Sequence, residues 1–226
     1  MDKEGSELDF AQLLMLGPLK IVVVDYGLGN LRSICSALER LEIQFQCTDD
    51  KEIIASANGL ILPGVGAFPD GMKNLTDLGL IALLNELVLE RHLPVLGICL
   101  GFQLMARQGF EFGRSAGLGW IDAEVVRLDP GESYRVPHVG WNDAVLRRPC
   151  PLFGNLPTER LFYFTHSYHM LCVDTNDVVA TTEHGQSFIS AVQREHIFGT
   201  QFHPEKSQSA GLDLLHSFAL EVAGRC

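Results

Sequence analysis

Up to about residue 100, short apolar runs alternate with stretches in which apolar residues recur at helical spacing. Ile21-Val22-Val23-Val24 is unbroken and β-branched, the signature of a strand buried on both faces. Gly27 and Gly29 turn the chain, and Asn30 stands where a helix cap is wanted. Leu31, Ile34, Leu38 and Leu41 then follow a helical period. Residues 43–48 suit a second strand, 51–57 a short helix, and Leu60-Ile61-Leu62 a third strand. A helical region is expected between about 70 and 91, and a strand from Pro94 to Ile98. Strands alternating with helices over short connections predict a mostly parallel α/β sheet with helices on both faces.

The rhythm changes after Gly119. Val125-Val126-Arg127-Leu128, Phe162-Tyr163-Phe164, Val178-Val179-Ala180-Thr181 and Ser190-Ala191-Val192 read as strands separated by turns, with little helix. They predict an added antiparallel β layer before the sheet resumes at Ile197-Phe198-Gly199-Thr200. Residues 209–223 close the chain as an amphipathic helix with Leu212, Leu215, Phe218 and Val222 inward.

At 226 residues the chain can bury a sizeable core, and residues 20–226 are expected to form one domain. Residues 1–19 read as a disordered extension. Leu13-Leu14-Met15-Leu16 is too short to span a bilayer, and Asp2, Glu4, Glu7 and Asp9 spoil a secretion signal. A net charge of −11 opposes nucleic-acid binding, which needs a basic stripe. Six irregularly spaced cysteines with no C-x-x-C pair point to free thiols in a cytoplasmic protein. Gly27-x-Gly29 lacks the third glycine of a dinucleotide fingerprint, so it reads as a tight turn and no cofactor is expected. No metal is expected either. His166 and His169 are three apart, with His203 as a third candidate, but no His-Glu-x-x-His or cysteine pair completes a set. His92, His184, His196 and His216 read as surface or helix-face residues.

Three segments carry candidate chemistry. In Gly97-Ile98-Cys99-Leu100-Gly101-Phe102-Gln103 an apolar strand stops at a cysteine between glycines, and a helix-forming run follows through Ala106-Arg107-Gln108. That places a thiol at a nucleophile elbow, where the next N–H groups and the helix dipole favour a thiolate and can hold an oxyanion. A buried core cysteine is the plain alternative. In His203-Pro204-Glu205 the histidine can serve as general base and the glutamate can orient it. Pro63-Gly64-Val65-Gly66 reads equally as an ordinary turn or as a flexible donor of a backbone N–H.

Gly97-x-Cys99-x-Gly101-x-Gln103 with His203-Pro204-Glu205 resembles the class I (triad-type) glutamine amidotransferases, whose fold is a flavodoxin-like α/β sheet. Asp25-Tyr26-Gly27-Leu28-Gly29-Asn30-Leu31-Arg32-Ser33, Pro63-Gly64-Val65-Gly66, Pro137-His138-Val139-Gly140-Trp141-Asn142 and Phe164-Thr165-His166-Ser167-Tyr168 are similar to segments of one branch of that family. The branch is the glutaminase subunits of imidazole glycerol phosphate synthase, and the likeness runs in order over roughly residues 20–222. The resemblance implies Cys99, His203 and Glu205 as catalytic residues acting on L-glutamine. It makes Gly64, Val65 and Gly66 the oxyanion strand, partnered by the amide of Leu100. It places Gly66, Gln103, Glu111, Ser167 and Tyr168 at glutamine-binding positions. It implies a heterodimer with a barrel-fold cyclase that receives ammonia in histidine biosynthesis, with Asn30, Arg32, His138, Trp141 and Asn142 toward that partner. Alternatives are a paralogue supplying ammonia for amidino-sugars, a catalytically silent regulatory module, and a peptidase on the same scaffold. The intact Cys-His-Glu set opposes the silent module, and Gln103 with Glu111 opposes the peptidase.

Overall fold

A computed structural model describes residues 19–154 and 161–225. Its main sheet has eight strands. Five are parallel: β1 (Ile21–Val24), β2 (Phe45–Thr48), β3 (Gly59–Gly64), β4 (Val95–Cys99) and β14 (Ile197–Thr200). They lie in the order β2-β1-β3-β4-β14, and β4 is the pivot, pairing in parallel with β3 on one side and β14 on the other.

Side chains alternate across this sheet and build a core on each face. Ile21 and Val23 join Ile34 and Leu38 of α1 (Leu31–Arg40) and Leu215 and Phe218 of α6 (Gln208–Ala223). Val22 and Val24 face the other way, with Ile54 of α2 (Lys51–Ala55), Leu75 of α3 (Phe68–Asp77) and Leu84 of α4 (Ile81–Asn85). The helical region expected over 70–91 is broken at Gly79, whose φ of +62° ends α3. A π turn, Glu86–Glu90, finishes it.

The antiparallel strands are not one layer. β12 (Val178–His184) and β13 (Gln186–Arg194) extend the main sheet beside β14, with β9 (Val145–Leu146) at the edge. A four-stranded sheet has the order β11-β7-β5-β6, from β5 (Ala106–Gly109), β6 (Ser115–Ala116), β7 (Ile121–Arg127) and β11 (Tyr168–Cys172). β8 (His138–Asp143) pairs alone with β10 (Leu161–His166). The run after Cys99 also differs from expectation. α5 (Leu100–Leu104) is a single turn, and Ala106-Arg107-Gln108 enters β5. Pairing with β7 on one side, in parallel, and with β6 on the other overrides the helical propensity of those three residues.

Asn30 occupies the N-cap of α1 without a side-chain cap bond; only its carbonyl serves, accepting from Ser33 and Ile34. The segment expected as a disordered extension lies, apart from Leu19, outside the described residues. Among the described residues no helix is long and apolar enough to cross a membrane.

Candidate active site

Cys99 ends β4 at the carboxyl edge of the parallel strands, where open α/β sheets gather their ligands. Its backbone has φ +54° and ψ −106°, a conformation that side-chain-bearing residues rarely adopt. The flanking glycines are required by packing. A Cβ on Gly97 would lie 2.8 Å from the Phe102 nitrogen, and one on Gly101 would overlap the Leu62 carbonyl. The cysteine is 7% exposed, so the thiol sits in a crevice and not on the surface. Because α5 is one turn long, it brings no long helix dipole to the sulfur.

Behind the thiol, His203 Nδ1 lies 2.8 Å from Glu205 Oε1, and both side chains are almost wholly buried. Their loop is pinned at several points. The His203 amide donates to the Tyr163 carbonyl at 2.9 Å, and the Ser207 hydroxyl donates to the His203 carbonyl at 2.6 Å. Burial disfavours the imidazolium, but the Cys99 thiolate and then Glu205 outweigh it and push the His203 pKa up to about 10. His203 Nε2 is buried and makes no hydrogen bond among the described residues. It is the nitrogen left to exchange a proton with the sulfur.

A cavity of about 280 Å³ opens in front of Cys99. Val65, Gly66, Leu100, Gln103, Glu111, Ser167 and Tyr168 line it, seven of the residues expected around glutamine. Gly64 does not. It is buried, and a Cβ there would overlap the Tyr26 hydroxyl and approach the Gly101 nitrogen to 3.0 Å. Conformational freedom belongs instead to Gly66, at φ +121°, where a Cβ would meet only the Leu28 Cδ atoms at ordinary contact distance, 3.8 and 3.9 Å. The Val65 N–H donates to the Leu28 carbonyl at 2.6 Å, so here it is engaged by the 25–30 loop. Gln103 Nε2 donates to the Tyr168 carbonyl at 2.9 Å and to Gln201 Oε1 at 3.0 Å. Glu111 Oε2 accepts the Phe68 N–H at 2.8 Å, holding the carboxylate at the start of α3.

Gln201, Thr165 and Pro137 were not among the expected site residues. Gln201 Nε2 stands 3.8 Å from the Cys99 sulfur, and the Thr165 carbonyl 3.9 Å from it. Strand alternation carried a signal for Gln201, which is two residues before His203 and shares its side of the chain. Thr165 acts through its backbone, which no side-chain pattern reveals. Pro137 lines the cavity wall.

The residues expected at a docking face divide. Along β8 the exposed side chains are Val139, Trp141 and Asp143, with Trp141 45% exposed and edge-on to Tyr163. His138, expected on that face, is 4% exposed and points inward. It belongs to a relay in which Asn142 Nδ2 donates to His138 Nε2 at 3.2 Å and His138 Nδ1 donates to His166 Nε2 at 3.1 Å. His166 Nδ1 then donates to the Tyr168 carbonyl at 2.9 Å. Each ring is thereby held neutral, and burial pushes His138 down to about 4 and His166 to about 3. Asn142 also donates to the Glu183 carbonyl at 2.9 Å, so it too serves the fold. Asn30 is half-buried, and Arg32 is exposed beside a cavity of about 330 Å³ that Glu205 also lines. Of the histidines expected at the surface, His196 is instead buried.

A thiol on a strained strand-to-helix turn, backed by a buried His–Glu pair above a parallel sheet, is a layout for nucleophilic acyl transfer. The comparisons narrow that class. The chain belongs to the class-I glutamine amidotransferase family, whose sequence model matches residues 22–222. It is 48% identical over 198 residues to the imidazole glycerol phosphate synthase subunit HisH of Moorella thermoacetica, covering 88% of this chain and 93% of the relative. It is 42% identical to the subunit HisH 2 of Pseudomonas aeruginosa, covering 88% and 98%. A solved glutamine amidotransferase structure superposes with a TM-score of 0.70 at 24% identity, over 90% of this chain and 98% of that one. That last match bears on the fold alone.

Proposed function

We propose that this chain is the glutaminase subunit of an imidazole glycerol phosphate synthase, hydrolysing L-glutamine with Cys99 as nucleophile. The observation that carries the reading is the placement of Cys99 between the buried His203–Glu205 pair and a cavity lined by Gln103, Glu111 and Tyr168. HisH relatives over most of the chain support the same reading. His203 takes the thiol proton, and the thiolate attacks the side-chain amide carbon. The carbonyl oxygen becomes an oxyanion, which the Leu100 N–H and a Val65 N–H would hold. Collapse breaks the C–N bond as His203 returns the proton to the departing nitrogen, releasing ammonia. The glutamyl thioester is then opened by water, which His203 deprotonates, giving glutamate and the free thiol. Glu205 orients the imidazole and balances its charge throughout.

The Val65 N–H cannot serve while it is bonded to the Leu28 carbonyl. The 25–30 loop therefore holds the oxyanion hole half-assembled, and a barrel-fold cyclase docking on Arg32 and the Trp141 face would release it. Trp141 is a suitable anchor for such a heterodimer. Glutamine would then be consumed where ammonia has an acceptor.

Cys99→Ala tests the reading. Glutamine hydrolysis by the complex with the cyclase should fall by about 10⁴-fold or more, while synthesis supplied with free ammonia persists. Undiminished glutamate release would remove Cys99 from the chemistry.

A further inference from the structure

At the end of the sheet opposite Cys99, His92, Glu195 and His196 come together. One donor atom from each lies within 4.8 Å of the other two. Glu195 and His196 form the two-residue turn between β13 and β14, and His92 follows the π turn that leads into β4. The His196 ring is 5% exposed, and its Nε2 donates to the Val88 carbonyl at 2.6 Å. That bond fixes the tautomer and leaves a lone pair on Nδ1. Nδ1 faces Glu195 Oε2 at 3.9 Å, too far for a hydrogen bond. Two electron-pair donors thus face one another across a gap, with the His92 ring edge-on to His196 at 5.1 Å between centroids.

The backbone adds a second observation. Glu195 has φ +53° and His92 φ +55°, in the left-handed region where turns and helix ends ordinarily use glycine. Two of the three donors therefore stand at positions strained for any side chain, a condition that recurs at ligand sites. A backbone carbonyl holding the far nitrogen of a histidine is also the usual support of a metal ligand.

We propose that His92, Glu195 and His196 bind a divalent transition metal, with Zn²⁺ the best match to two imidazole nitrogens and one carboxylate oxygen, water completing the tetrahedron. The ion clamps the β13–β14 turn to the segment entering β4. It is a structural clamp, remote from the thiol.

The test is isothermal titration of the full chain with Zn²⁺, paired with thermal unfolding in chelator and in Zn²⁺. His92→Gly and Glu195→Gly relieve the backbone strain while removing a ligand, so both variants fold. The parent should bind one more equivalent than either variant, or bind that equivalent at least tenfold more tightly, and its unfolding temperature should rise with Zn²⁺ while theirs does not. In chelator both variants should unfold at or above the parent's temperature, and glutamine hydrolysis should stay within twofold of the parent. Equal Zn²⁺ stoichiometry and affinity in parent and both variants would overturn the proposal, as would an equal Zn²⁺-dependent shift.

Discussion

Glu205 does not line the cavity in front of Cys99; its Oε1 meets His203 Nδ1 at 2.8 Å, with both side chains almost wholly buried. Its value lies in the charged imidazole. Burial alone would drive that proton off, and the neighbouring thiolate and carboxylate instead raise the pKa to about 10. The imidazolium is therefore kept at neutral pH, and its contribution to folding is lost only as pH rises from 6.5 through about 10. Glutamine hydrolysis, measured as a pH profile of the partner-bound enzyme, should fall on that same upper limb as the proton donor for ammonia disappears. Glu205→Gln should move the falling limb down by about a unit or more and lower turnover by roughly 10²-fold, with KM little changed. An unmoved limb would leave a Cys–His pair working without Glu205. At this scale the sequence was explicit for Cys99, His203 and Glu205, because glycine flanks and a His-Pro-Glu step are strong local patterns. It gave no sign that His138, expected toward a partner, is buried, an inward direction set by the pleat of β8 and by its bond to His166.

Two glycines of the Pro63–Gly66 segment have different physical tasks. Gly64 allows β3 to pass against Tyr26, Leu100 and Gly101, whereas Gly66 holds a φ of +121° with only Leu28 in ordinary contact beside it. Gly64→Val should destabilise the fold by about 1–3 kcal/mol through overpacking, read as a lower urea midpoint. Gly66→Ala should leave the packing intact and act on the peptide's orientation. Because one missing oxyanion donor is worth about 10²–10³-fold, the isolated chain should be a glutaminase weaker than the complex by that order. Gly66→Ala should shrink the activation, measured as the ratio of the two rates. Equal rates with and without the cyclase would mean that Val65 is not the gated donor. The helix-strand alternation of the first hundred residues was legible because β1, β3 and β4 are buried along their whole length and rich in apolar residues. The short strands β5, β6 and β9 were not, since four residues or fewer contain no period to read.

Over the whole molecule, neutral histidines are built into the wall between cavity and surface. Burial lowers His138, His166 and His169 from the ordinary value, His138 to about 4 and His166 to about 3. The folded chain binds fewer protons than the unfolded one between those values and 6.5, so stability is present above 6.5 and lost as pH falls toward 4. Burial of Asp177 and Asp213 raises their carboxyl pKa values and works in the opposite sense. Urea midpoints measured from pH 7 to 4.5 should decline, and more shallowly in His138→Gln, which isolates the histidine share. Identical slopes would show that the relay titrates normally. The sheet order and the division of the antiparallel strands among three sheets come from long-range pairing, which a single chain's local pattern does not encode. The central claim is covalent: glutamine passes through a thioester on Cys99. Acid-quenching the partner-bound enzyme during turnover and mapping the adduct by mass spectrometry should place a glutamyl group on the peptide carrying Cys99, and on no peptide of Cys99→Ala. A glutamyl adduct on a different residue, or the same adduct persisting in Cys99→Ala, would contradict it.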